Sequence, residues 1–171
     1  PNSILHKQFQ HRQSGYSVEN ARKSIERSLK RLKTDYIDIL LLHSYQSYDL
    51  DYELIEFLEN LIEEGKILSY GIDTPNEYAE TLSTKVKNNL NILQFGNDIM
   101  NPSISEKISN SNANLITRAP FNKGIVIDHL VKEKQIHREA AARMALEYCY
   151  EKNKSGICLL YTSPSPRDLR K

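Results

Sequence analysis

Tryptophan is absent, cysteine occurs twice, and glycine and proline occur only six times each among 171 residues. Cys149 and Cys158 stand in no CxxC spacing and have no His/Cys cluster beside them, which excludes a disulfide scaffold and a zinc or iron–sulfur centre and fits a reducing compartment. The scarce glycines form neither GxGxxG nor GxxxxGK[ST], so the glycine-rich phosphate cradles of Rossmann and P-loop proteins are missing. Charge of one sign is also missing. With 23 Lys+Arg against 22 Asp+Glu the net charge is +1, which leaves no electrostatic footprint for nucleic acid or an anionic membrane. The longest apolar run, Ile39-Leu40-Leu41-Leu42, is far below a bilayer span, and the opening residues carry no charged-then-apolar signal pattern. These absences predict a cytoplasmic protein whose partner is a small molecule, neither nucleic acid nor membrane. Its oligomeric state is left open.

What the sequence has is a rhythm of amphipathic and apolar segments. Val18, Ala21, Ile25, Leu29 and Leu32 recur at helical spacing behind Ser17, a capping residue. The stretch Asp35–His43 then turns nearly continuously apolar, the pattern of a parallel strand covered on both faces. A second helix is expected over Leu50–Glu64, with Leu54, Phe57, Leu58, Leu61 and Ile62 inward and Gly65 as terminator. The alternation continues with a strand Leu68–Asp73, a helix Asn76–Lys87, a strand Ile92–Gly96, a short helix Ser103–Ser109 and a strand Asn114–Arg118. A longer helix Ile136–Lys152 is expected to bury Ala140, Met144 and Tyr148, and Gly156-Ile157 would begin one more strand. With Ile4–Phe9 as the first strand, this is an α/β chain of parallel strands alternating with helices. An open doubly wound sheet and a barrel share that rhythm, and periodicity does not choose between them.

Four ordered motifs carry a resemblance. The run Ser28-Leu29-Lys30-Arg31-Leu32 followed by Asp35–His43, then Glu64-Gly65-Lys66-Ile67 leading to Gly71-Ile72, then Leu93-Gln94 followed by Asn97, and last Arg118-Ala119-Pro120-Phe121-Asn122-Lys123-Gly124, resemble in order and spacing the aldo-keto reductase superfamily. The resemblance implies a (β/α)8 TIM barrel with its chemistry at the carboxyl ends of the strands, here incomplete. The chain opens on Pro1, two residues before a strand, which predicts an upstream truncation. Residues 158–168 resemble one reading frame of a sequencing-library adapter, so residues 1–157 are expected to be a partial barrel and residues 158–171 a non-native tail. A ring missing strands would leave open edges, and association is expected of it.

The resemblance also assigns roles. The family moves hydride between NADP or NAD and a carbonyl or sugar substrate. His43 matches the histidine that orients the carbonyl. Lys7 matches the lysine that lowers the pKa of a proton-donating tyrosine, a tyrosine and its aspartate partner being expected before Pro1 and not among Tyr36, Tyr45, Tyr48 and Tyr52. Gln94 matches the residue whose amide pairs with the nicotinamide carboxamide. Arg118 stands where many members place an aromatic ring stacked on the nicotinamide; Ala119, Phe121 and Lys123 belong to the loop along the pyrophosphate. Asp73 and Thr74 replace a Ser-Asn pair that commonly holds the carboxamide, and an ionised carboxylate at 73 can only accept hydrogen bonds. The fragment itself is expected to be inactive. The departures at Asp73 and Arg118 also admit a noncatalytic relative that binds the cofactor as a sensor or regulatory subunit.

Overall fold

The computed structural model describes residues 16–46, 52–84, 90–108, 113–153 and 156–160. The expected first strand Ile4–Phe9, with Lys7, lies outside the described residues. The chain divides into two compact units, Pro1–Asp73 with Lys87–Asn91, and Thr74–Val86 with Ile92–Lys171.

In the first unit, α1 spans Val18–Leu32. Ser17 caps it in extended backbone, its hydroxyl accepting from Asn20 N–H at 3.3 Å. Glu19 in the first turn and Lys30 and Arg31 in the last both suit the helix dipole. Strand β1 (Ile37–Leu42) pairs in parallel with β2 (Ile67–Asp73), in register from Ile37↔Ile67 to Leu42↔Ile72. Between them α2 (Tyr52–Glu63) buries Leu54, Phe57, Leu58 and Leu61, while Ile62 is half-buried. Gly65, at φ 69°, ends this helical stretch as expected: its N–H bonds Ile62 O at 2.9 Å and Lys66 N–H bonds Leu61 O at 2.9 Å. That pair of bonds is the Schellman motif, which requires a left-handed residue that glycine adopts without a Cβ clash. The expectation that β1 is covered on both faces does not hold. Only Leu42 is buried, and Ile39 is 43% exposed. A strand is covered when neighbours on each side bring side chains over it, and β1 has one strand neighbour, β2, among the described residues.

The second unit contains α3 (Asn76–Ser83), most of β3 (Leu90–Gly96), α4 (Pro102–Ile108), β4 (Asn114–Arg118), α5 (Ile125–Lys134), α6 (Arg138–Lys152) and β5 (Ile157–Leu159). Strands β3 and β4 are parallel with Ile92↔Asn114 and Gly96↔Arg118 in register, and β5 joins β4 in parallel with Ile116↔Ile157 and Arg118↔Leu159. Strand β5 thus runs across residue 157 into Cys158 and Leu159. Helix α5 was not foreseen. The face of α6 also differs from expectation: Ala141, Ala145 and Cys149 are buried, while Ala140 and Met144 are exposed and Tyr148 is half-buried. The two stripes lie one residue apart, and alanines at 140, 141 and 142 give the pattern nothing to distinguish them by. Val126, Ile127 and Leu130 of α5 form one core cluster with Ala141 and Ala145, where small side chains let the two helices approach closely.

Candidate active site

His43 follows β1 directly, at the carboxyl end where a parallel α/β arrangement places its chemistry. Ser44, at φ 56°, turns the chain so that Tyr45 N–H bonds the backbone carbonyl of Asp73 at 2.8 Å. The Asp73 carboxylate meets the imidazole itself, with His43 Nδ1 2.9 Å from Asp73 Oδ2. The burial of the pair is lopsided: the Asp73 side chain is 4% exposed and that of His43 85%. One residue therefore holds both the backbone after β1 and the ring, and leaves most of the ring open to a ligand. A second hold comes from the other side. The Tyr16 hydroxyl donates to the His43 carbonyl, and the Tyr16 ring meets the buried Tyr45 ring edge to face, with centroids 5.4 Å apart and planes at 76°.

In the second unit, Gln94 lies buried near the end of β3, its backbone carbonyl accepting from Thr74 N–H at 2.9 Å. Thr74 is fully buried and its hydroxyl donates to Pro75 O at 3.3 Å, which leaves only its acceptor lone pairs for other partners. Asn76, the first residue of α3, accepts from Gly96 N–H at 2.9 Å through Oδ1. A Cβ on Gly96 would stand 3.0 Å from that oxygen, which explains the glycine. Arg118 closes β4 half-buried, its carbonyl accepting from Asn97 N–H at 3.0 Å.

The loop after β4 is a run of left-handed backbone, with Ala119 at φ 58°, Asn122 at 41°, Lys123 at 57° and Gly124 at 96°. Internal bonds stiffen it: Asn122 N–H to Ala119 O at 2.9 Å and Gly124 N–H to Phe121 O at 2.8 Å. Ala119 and Lys123 are exposed, whereas Phe121 packs against the α5–α6 core and so anchors the loop. The chemistry of this set suits a dinucleotide. Gln94 offers a donor and an acceptor on one planar group, as a carboxamide requires; a rigid loop with an exposed ammonium, running into a helix amino terminus, suits a phosphate.

The sequence located His43, Gln94 and the 119–124 loop at strand ends, which is where they stand. It missed Tyr16, gave Asn97 a place in a motif but no role, and read Asp73 as a ligand contact without seeing its partner. Asn97 is buried and its carbonyl accepts from the Cys149 thiol at 3.1 Å, tying the end of β3 to α6. No group of three or more His, Cys, Asp or Glu side chains that could hold a metal occurs among the described residues. None of their helices is long and apolar enough to cross a membrane.

Comparison with known proteins bears on the family and the fold. Norsolorinic acid reductase of Emericella nidulans is 38% identical over a segment covering 38% of this chain and 19% of that protein. L-galactose dehydrogenase of Arabidopsis thaliana is 45% identical over 33% of this chain and 19% of that protein. An aldo-keto reductase of Bacillus halodurans, solved in its holo form, superposes with a TM-score of 0.66 at 22% identity, covering 82% of this chain and 53% of that one. The matched part therefore spans about half of that structure and about a fifth of the curated relatives. The structural likeness shows the fold, the parallel strands and helices of an incomplete (β/α)8 barrel. The sequence model of the Aldo/keto reductase family matches residues 4–162, and the chain belongs to that family.

Proposed function

We propose that the whole protein is a cytoplasmic NAD(P)-dependent oxidoreductase that moves hydride between the nicotinamide of NADP or NAD and a small carbonyl or alcohol, an aldehyde, ketone or aldose. The observation that carries this reading is the exposed imidazole of His43, held at the carboxyl end of a parallel strand by a buried carboxylate. When bound, the cofactor supplies or takes up the hydride. The residues of this chain contribute binding and orientation. His43 orients the substrate oxygen through its open ring nitrogen. The Gln94 amide would pair with the carboxamide of the cofactor, Arg118 would offer its ring a planar guanidinium, and the backbone of Ala119–Gly124 with Lys123 would hold the pyrophosphate. Lys7 lowers the pKa of the acid that protonates the oxygen. That one relative is named a reductase and another a dehydrogenase fits a site able to work in either direction.

The test is oxidation of NADPH and NADH by the whole protein against a panel of aldehydes, ketones and aldoses. His43→Ala is expected to lower kcat by about 10²–10³-fold, the size of one lost transition-state hydrogen bond, with cofactor affinity unchanged. Gln94→Ala is expected to weaken cofactor binding by about 1–3 kcal/mol with a smaller effect on kcat. Failure to bind either dinucleotide would sink the reading; tight binding without turnover would favour the sensor or regulatory subunit.

A further inference from the structure

We propose that Asp73 is a positioning residue for this reaction: by accepting the Nδ1 proton of His43, it decides which imidazole nitrogen is presented to the substrate oxygen. The proposal rests on the functional reading above and adds to it a residue the sequence had placed on the cofactor. The carboxylate oxygen is 2.9 Å from Nδ1, and the aspartate is buried while the ring is open. An ionised carboxylate accepts and never donates, so the nitrogen facing it is the one that carries hydrogen. A neutral imidazole has one N–H, and its partner fixes which nitrogen that is. Spent on Asp73, that hydrogen leaves Nε2 bare, an acceptor suited to the hydroxyl of an alcohol. Toward a carbonyl oxygen the same ring donates from Nε2 only as the imidazolium.

The residue type at 73 thus chooses the tautomer. The backbone of Asp73 is tied to the same loop, its carbonyl accepting from Tyr45 N–H at 2.8 Å, which holds the end of β2 against the segment that carries the imidazole.

The experiment is nitrogen NMR of the whole protein labelled with ¹⁵N-histidine, the His43 signals being assigned by their loss in His43→Gln. In the neutral ring of the unmodified protein, Nδ1 is expected to show the protonated-type shift and Nε2 the bare type. Asp73→Ala, which removes the acceptor and supplies no other polar group, is expected to return the hydrogen to Nε2, the nitrogen a free neutral imidazole prefers, and to lower kcat for alcohol oxidation roughly tenfold, the size of one hydrogen bond to a charged group, with the Kd for the dinucleotide unchanged. A neutral His43 already protonated on Nε2 in the unmodified protein would overturn the proposal whatever the variant does. So would an Asp73→Ala protein with an unaltered tautomer, and weakened dinucleotide binding in that variant would return Asp73 to the carboxamide. The tautomer is read without turnover, so absence of binding to either dinucleotide would count against the proposed function and leave this result standing.

Discussion

Cys149 lies on the buried face of α6. Burial first, then the neighbouring Cys158 and Asp98, push its thiol from the ordinary 9.0 up to about 12. The folded protein therefore keeps a proton that the unfolded chain releases earlier. The resulting stability is fully present below pH 9.0 and is lost progressively as pH rises toward about 12. Urea midpoints should fall across that window, and Cys149→Ala should flatten the fall; an unchanged slope would remove the thiol as its cause. The same burial makes Cys149 slow to react with a thiol reagent while the exposed Cys158 reacts at once. Gly156 is as constrained sterically: a Cβ there would stand 2.3 Å from Asn153 Oδ1 and 2.4 Å from Leu115 O. Gly156→Ala is expected to cost about 1–3 kcal/mol by denaturant titration, the usual range for overpacking. At this scale the sequence was legible where a motif names a side chain and silent where a partner lies far along the chain. His43 and Gln94 were singled out because the motifs around them resemble those of a known family. The pairing of His43 with Asp73 was readable in principle: the register Leu42↔Ile72, carried one step further, sets residue 43 opposite residue 73. That register becomes available only once the two strands are paired. Nothing local to Tyr16 announces that its hydroxyl will reach a carbonyl 27 residues away.

Elements were legible in proportion to how sharply their ends and faces are marked. Helix α1 has a capping serine, an acidic first turn and a basic last turn, and its expected and observed bounds coincide. Ser17→Ala should cost about 1 kcal/mol, the usual loss at a helix cap. Helix α5 opens with Ile125-Val126-Ile127, β-branched residues with poor helix propensity, and packing against α6 overrides that preference. The face of α6 offers a direct test of the corrected assignment. Ala145→Leu should destabilise by about 1–3 kcal/mol, because it forces a branched side chain into the contact with α5. Met144→Ala, on the open side, should change stability by less than about 0.5 kcal/mol. Equal effects would show that the helix is rotated from the orientation described.

For the whole molecule, alternating strands and helices gave the α/β class, and the ordered motifs supplied the choice of barrel that periodicity left open. Tyr36, Ile39 and Leu68 are 42%, 43% and 58% exposed, an unusual outlay of apolar surface on and beside a parallel strand pair. Residues 1–171 expressed alone are expected to associate with rising concentration in sedimentation velocity. A monomer at every concentration with one cooperative melt would contradict this. The Tyr16 hydroxyl on the His43 carbonyl has a consequence beyond its own geometry. It closes a long span of chain on itself, so that the approach to a surface helix and the exit of a strand become one mechanical joint. Loosening that helix at its outer surface should be felt as restlessness in an imidazole its side chains need never touch.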